Sequence, residues 1–575
     1  MIDDANRLES GQRLGADICI VGAGAAGIAL ALQFVGASQS VLLLESGGLT
    51  PDPATQSLYA GEVADERMHS PPDRYRQRRF GGSTTIWGGR CVPFDPIDFE
   101  RRDHVPHSGW PLGYETLRPY YERANGLVEA GEFAYTVETA FAPDEARPLI
   151  AGFHSERVTT NTIERFSCPT DFGRRYAHRL RAAPNVRVLL NANVTELVAP
   201  EAGRRIASVT VRTLGGRRVS VVASHFVLAA GGLEVPRLLL ASRAVHADGI
   251  GNARGLVGRF YMCHLAGTIG TLTVTAARDA VWHGYLVSPD GVYCRRRFAL
   301  TPRVQRELGI GNFIARLHHP RVTDPAHRTG ALSFLYLAKP FIGYEYGKRL
   351  HGGEAFSVSS WLRHARNVAA DPLETFDFCF HLLRRRILAE RKFPSIVVRP
   401  KENRFSVDFH SEQRPNPESR ITLTDRLDPL GMPRLRVDWR HTPWDIETID
   451  KGLRVLAEEL ERTGTGRLDY APETLESEAL RYGAYGGHHL GTARMGTSPT
   501  DSVVDRDCRI HDVDNLFVAS SAVFPTSSQA NPVLTIVALA LRLADHLKAL
   551  TAPRVAPRVA AADTAPPASP RTLVH

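Results

Sequence analysis

The chain has 575 residues, 43% of them apolar, with 70 Lys and Arg against 62 Asp and Glu and a formal net charge of +8. That is an ordinary globular composition, able to bury a large core and by length to hold about two to four domains. Basic and acidic residues are interleaved, so the charge gives no ground for expecting a nucleic-acid partner. The short basic runs "DRYRQRRF" (73–80) and "LLRRRILAERK" (382–392) read as solvated faces with arginines pairing nearby carboxylates, in preference to sites for anionic substrates or lipid.

In chain order, the first twenty residues carry acidic groups and no long apolar run, so they do not resemble a secretory signal. Seven scattered cysteines (Cys19, Cys91, Cys168, Cys263, Cys294, Cys379, Cys508) form no CxxC pair, which fits a reducing compartment. A cytoplasmic location is therefore expected, and no metal site. Residues 16–48 then give a strand (Ile18 to Val21), a GxGxxG turn (Gly22, Gly24, Gly27), an alanine-rich helix opening at Ala25 and Ala26, and a second strand (Val41 to Leu44) ending at Glu45. Gly22 permits the tight turn, Gly24 lets backbone approach a pyrophosphate, and Gly27 lets helix and strand pack closely. The helix N-terminus offers free N–H groups to phosphate, and the Glu45 carboxylate can accept from ribose hydroxyls. A dinucleotide site follows, without a choice between NAD and FAD. "RRFGGSTTIWGGRCVPFDPIDFE" (78–100) sets Gly81, Gly82, Ser83, Gly88 and Gly89 around Trp87, as expected where backbone passes close to a flat ligand.

"NANVTELV" (191–198), containing Val194, reads as a strand, and "HFVLAAGGLEVPRLLLAS" (225–242), containing Ala230 and Gly231, as a buried strand, glycine turn and helix. The segments 267–275, 395–400, 404–413, 419–424 and 434–440 are alternating or β-rich and suggest one half-buried sheet. Residues 376–393 look helical, with an apolar side for the core and a basic side for solvent. Residues 442–464 read as a helix with Thr442 as N-cap, Pro443 in the first turn and Gly464 at the stop. "PVLTIVALALRLADHL" (532–547) is interrupted by Arg542 and Asp545 and is too short to span a bilayer. It reads as a core helix, and membrane contact is not expected. The Ala- and Pro-rich tail, 551–575, is expected to be disordered.

"GGSTTIWGG", "SGWPLGYETLRPYYERA" (108–124), "VLAAGGLEVPRLLL", "GLVGRFYMCH" (255–264), "EQRPNPESRITLTD" (412–425) and the block from His488 to His546 carry a resemblance. The chain resembles the glucose, methanol, choline (GMC) oxidoreductases, FAD enzymes that mostly oxidise alcohols, and its motif wording is nearest the sugar-oxidising branches. The resemblance implies an α/β (α+β overall) fold. A Rossmann-like FAD domain is assembled from discontinuous segments (14–265 and 481–550), with a mostly antiparallel substrate domain (266–480). FAD is the implied cofactor. In "GGHHLGTARMG" His488 falls at the family's active-site histidine, and Asn531 at its second catalytic position. Alcohol oxidation takes a proton from oxygen and a hydride from carbon, so His488 is expected to be the base and flavin N5 the hydride acceptor. His489 is expected to point elsewhere and bond structurally; His264 and His511 are equally well explained by solvent or core hydrogen bonds. The helix after Asn531 and Pro532 is placed at the flavin pyrimidine by the resemblance. Ile86 stands where some sugar-oxidising relatives carry a flavin-linking histidine, so FAD is expected to be noncovalent. Ser520 stands where many relatives have aspartate. A sugar, glycoside or polyol is the expected substrate, with oxygen or a quinone-like acceptor. A nonsugar alcohol such as a terpenoid or sterol, a hydroxynitrile lyase of the same fold, and a noncatalytic flavin-binding protein are the alternatives.

Overall fold

In the computed structural model, which describes residues 1–201, 203–351, 357–400 and 402–551, the apolar run Ile18 to Val21 is the buried end of strand Arg13–Val21. This strand pairs in parallel with Val41–Leu44 on one side and Arg218–Leu228 on the other. Val186–Leu190 and Ile2–Asp4 extend the parallel sheet beyond Val41–Leu44, and Leu516–Val518 joins Arg218–Leu228. Ser208–Arg212 and Asn193–Val198 continue it antiparallel, giving eight strands. Parallel strands covered on both faces read as continuous apolar runs, which is why Ile18 to Val21, Val41 to Leu44 and the end of Arg218–Leu228 read as strands in the sequence, whereas the edge strand Ile2–Asp4 did not. Gly22, at φ 107°, makes the turn into helix Ala25–Leu32; a Cβ there would lie 2.7 Å from the Ala229 carbonyl oxygen. Helix Val533–Thr551 is buried along most of its length and packs on Ala25–Leu32 and Tyr114–Leu127.

The second sheet is antiparallel: Gly466–Asp469, Met262–Val274, Arg404–Ser411, Phe313–His318, Phe298–Leu300 and Val158–Thr159, with Tyr485–Leu490 pairing Met262–Val274. The expectation of one central sheet does not hold. Arg420–Leu427 and Pro433–Asp438 form a separate hairpin, joined by Glu62–Val63, that packs on helix Gly231–Ala241 of the first unit. Alternation says that a strand has one buried face but not which sheet it joins. Residues 395–400 form no strand; Ile396 and Val398 instead bury against Val322, Leu332 and Leu335, so packing against a helix produced the alternation.

Helix Pro443–Arg462 begins and ends as expected, with Thr442 and Asp445 forming a capping box and Gly464 at φ 64°. Residues 376–393 take in the second half of helix Pro372–Leu382 and a widened turn, Leu383–Ile387, but the apolar side is not core. Leu373, Phe376, Phe380 and Ile387 are 83%, 73%, 53% and 62% exposed, because the helix meets its neighbours through Thr375 and Phe378. Among the described residues no helix is long and apolar enough to cross a membrane. Residues 552–575 of the tail lie outside the described residues.

Candidate active site

The loops at the carboxyl ends of four parallel strands (Gly22 to Ala26, Glu45 and Ser46, Ala229 to Glu234, Ala519 to Ser521) form one wall of a cavity of about 580 Å³. Open α/β sheets bind ligands at this edge. Gly82, Ser83, Trp87, Gly88, Gly89, Val194, Asn531 and Pro532 also line it, as do Gly22, Gly24, Ala25, Ala26, Glu45, Ala230, Gly231 and Ser520. Gly27 lies behind the wall, where a Cβ would sit 1.9 Å from the Gly22 oxygen. It serves helix packing and does not face the cavity. A Cβ built on Gly24, Gly88 or Gly231 meets no atom within 4 Å: these glycines leave open space in the cavity wall, Gly24 at the N-terminus of helix Ala25–Leu32. The wall therefore fits a dinucleotide such as FAD, with the amides at Ala25 and Ala26 available to its pyrophosphate.

Glu45 does more than await a ribose. Its Oε2 accepts from the Ala23 amide (2.9 Å), and Oε1 from the Gly47 amide (2.8 Å) and Ser46 hydroxyl (3.2 Å). The carboxylate ties the glycine turn to the next strand and keeps lone-pair capacity for a ligand. Burial raises its pKa, against the lowering effect of those amides and Arg78. Glu45→Ala should weaken FAD binding by about 1.5–3 kcal/mol. The FAD-to-protein ratio of dilute, gel-filtered protein checks this, and full occupancy would contradict it.

His488 lies on strand Tyr485–Leu490, whose bulged pairing with Met262–Val274 brings it beside His264. Their Nδ1 atoms are 2.8 Å apart, His264 Nε2 is 3.1 Å from the Ser527 carbonyl, and His488 Nε2 is 3.1 Å from Asn531 Nδ2. These contacts fix the tautomers. A carbonyl only accepts, so His264 carries its proton on Nε2 and accepts at Nδ1; His488 then carries its proton on Nδ1 and presents a lone pair at Nε2, where Asn531 donates. Burial, then neighbouring His264 and Arg90, hold the His488 pKa well below 6.5. A neutral imidazole whose Nε2 lone pair accepts from a single amide donor in the cavity wall can take a hydroxyl proton where a substrate oxygen comes between Nε2 and Asn531. Asn531 Oδ1 is buried without a hydrogen-bond partner.

His489 also lines the cavity but is bonded differently. Its Nδ1 is 2.6 Å from the Tyr261 hydroxyl, which also lies 2.7 Å from His69 Nε2 and 3.2 Å from Cys263 Sγ. His69, Cys263 and His489 are grouped closely enough to hold a metal ion, yet the Tyr261 hydroxyl occupies their centre and its hydrogen bonds account for the grouping. His511 bonds Ser502 Oγ (2.9 Å) and does not line the cavity.

The sequence reading did not single out the opposite wall. Arg90, Glu164, Arg295, Arg316 and His410 line it from five different strands, with Tyr285 and Tyr485. One signal was present: "CRRRF" (294–298) sets three arginines within an apolar, β-like stretch, where a solvated face is not expected. The run 73–80 also departs from a solvated face. Arg76 and Arg78 are buried, both paired to Glu234 and stacked over Tyr59 at 3.8 and 4.8 Å. Those three guanidiniums of Arg237, Arg76 and Arg78 outweigh burial and lower Glu234 to about 2.

A family model described as FAD dependent oxidoreductase matches residues 17–311, and one described as GMC oxidoreductase matches residues 415–540. The chain is an FAD-dependent GMC oxidoreductase. As such it is an enzyme acting on CH–OH groups. This GMC oxidoreductase is 24% identical to 2-methyl-1,2-propanediol dehydrogenase of Mycolicibacterium austroafricanum, over 92% of this chain and 95% of that one. It is 25% identical to paromamine 6'-oxidase of Streptomyces fradiae (92% and 90% covered) and 26% identical to the fructose dehydrogenase large subunit of Gluconobacter japonicus (94% and 98%). Among solved structures it superposes on pyridoxine 4-oxidase from Mesorbium loti with a TM-score of 0.54 at 18% identity, over 92% of this chain and 98% of that one.

Proposed function

We propose that this enzyme oxidises an alcohol group of a sugar, glycoside or other polyol, with His488 as the base. The neutral Nε2 lone pair of His488, held in place by His264 and Asn531, is the observation that carries the reading. Bound FAD supplies the hydride acceptor. The substrate hydroxyl donates to His488 Nε2, and Asn531 Nδ2 donates to the substrate oxygen, favouring the alkoxide as its proton leaves. The positive end of helix Val533–Thr551, which begins just after Asn531 and Pro532, favours negative charge nearby. Relatives named for a diol, an aminoglycoside and fructose support a polyhydroxyl substrate over a terpenoid or sterol.

The test is an anaerobic screen of sugars, glycosides, polyols and simple alcohols for bleaching of the yellow flavin, followed by reoxidation with oxygen or a quinone, the acceptors we assign. Bleaching by nonsugar alcohols alone would overturn the substrate class, and a lyase would not bleach at all. FAD is held noncovalently in this reading, because Ile86 lines the cavity with no group to form a bond. Acid or heat should release the flavin to the supernatant; yellow colour retained in the precipitate would contradict it. The unpaired cysteines fit the cytoplasm. We divide the chain into FAD-binding segments 14–265 and 481–550 around a substrate domain, 266–480.

A further inference from the structure

The cavity wall opposite the dinucleotide side carries more positive than negative charge. Glu164 accepts from Arg90 Nη2 (2.6 Å) and from Arg316 Nη1 (3.0 Å). Asp408 lies 3.2 Å from Arg316 Nε and 4.0 Å from Arg295 Nη1. Three guanidiniums thus share two carboxylates among the described residues. Arg295 is 9% exposed and its short bond is to a neutral group, the Leu317 carbonyl (2.5 Å). Arg90 Nε is buried without a hydrogen-bond partner. Burial and Arg316 lower Arg90 to about 9, which leaves it charged at neutral pH.

A buried cation that lacks its counter-charge is strongly disfavoured unless something supplies that charge. FAD does not account for it: its pyrophosphate belongs at the glycine turn on the other wall, where Arg76 and Arg78 already have Glu234. The surplus lies on the base's side. Arg90 Nη1 is 3.2 Å from His410 Nε2, and the His410 ring is 6.0 Å from that of His264, the partner of His488. Lys348 and Arg386 also line the cavity and add to a field that draws anions in.

We infer that the substrate is anionic: a sugar acid or other hydroxy acid whose carboxylate docks on Arg295 and Arg90 while its hydroxyl meets His488. This rests on the polyol reading above and narrows it. The surplus positive charge calls for an anion, and a guanidinium receives a carboxylate through paired N–H donors.

The test measures kcat/KM for anaerobic flavin bleaching with matched pairs: galacturonate against methyl galactoside, and gluconate against sorbitol. The acid of at least one pair should exceed its neutral partner by about 10²-fold or more. Arg295→Gln should reduce that acid-to-neutral ratio by about the same factor, and Arg295→Lys should restore much of it. Acetate should compete with substrate and perturb the visible flavin spectrum, whereas acetamide should not. If Arg295→Gln does not fold, the wild-type pairs and the acetate competition still decide. Neutral sugars bleaching as fast as their acids, with no acetate competition, would overturn the anionic substrate and leave the polyol reading standing. Bleaching by nonsugar alcohols alone, with acetate competing, would overturn the polyol reading and keep the anion site. Inorganic phosphate competing at far lower concentration than acetate would overturn the carboxylate in favour of a phosphate ester.

Discussion

His488→Ala protein should bind FAD and yet be reduced by substrate at least about 10²-fold more slowly than wild type, the usual scale of general-base catalysis. His489→Ala should lose far less activity, because its bonded nitrogen meets the Tyr261 hydroxyl and not the Asn531 side of the cavity. Asn531→Ala should fall between the two, since it removes a hydrogen bond to the reacting oxygen but leaves the base. Single-turnover anaerobic reduction of the three variants separates these outcomes. A crippled His489→Ala beside an active His488→Ala would shift the base by one residue. The pH profile gives a second check. Only neutral His488 accepts the proton, so the rate should rise with pH through its ionisation and then level. With that pKa held well below 6.5 by burial, His264 and Arg90, the plateau should extend below pH 6.5. Arg90→Met removes one of the lowering influences, so the rising limb should move to higher pH.

How much of this site could be read from the sequence follows from the range of each interaction. Gly22, Gly24, Gly27 and Glu45 act within one strand–helix–strand unit, so their spacing alone marks a phosphate-binding edge formed by Gly22, Gly24 and Glu45, with Gly27 packing the helix behind it. His488 and Asn531 were reached through a motif that keeps their local register. The pair His264 and His488 is set by a β-bulge between strands 224 residues apart, and no local pattern encodes that. The same holds for Glu164, which meets Arg90 and Arg316 only because three strands from distant parts of the chain converge. Charge counting along the chain misled for a related reason. "DRYRQRRF" looks solvated until helix Gly231–Ala241 delivers Glu234 to it, and the exposed apolar side of 376–393 looks like core because hydropathy does not reveal whether a partner element is present.

The folded enzyme should lose thermal stability between pH 7 and pH 5, before its carboxylates begin to protonate in the unfolded chain. Burial lowers His69, His264, His283 and His327 to about 4. It also holds His410, His488 and His489 well below 6.5. Between 6.5 and those folded values the unfolded chain binds protons that the native state refuses, so stability falls as pH falls. Three buried acids act in the opposite sense, because their raised pKa values let the native state hold protons the unfolded chain has released: Asp98 at about 8, Asp445 at about 6, and Glu45. Burial is the first cause in each. The histidines outnumber them, and a net difference of only about two protons over 1.5 pH units costs about 4 kcal/mol. For a chain of this length that lowers Tm by roughly 3–5 °C. Carboxylates with lowered pKa, such as Glu234 at about 2, lose their contribution only below about pH 4.5 and stay outside this window. Tm of the FAD-loaded enzyme at pH 7, 6 and 5 and constant ionic strength measures the slope. His327→Asn should flatten it, because an amide oxygen can still accept from the Thr329 N–H (2.9 Å to His327 Nδ1) but takes up no proton. A Tm that stays level or rises from pH 7 to pH 5 would mean that these imidazoles are solvated in the native state, the His488–His264 pair among them.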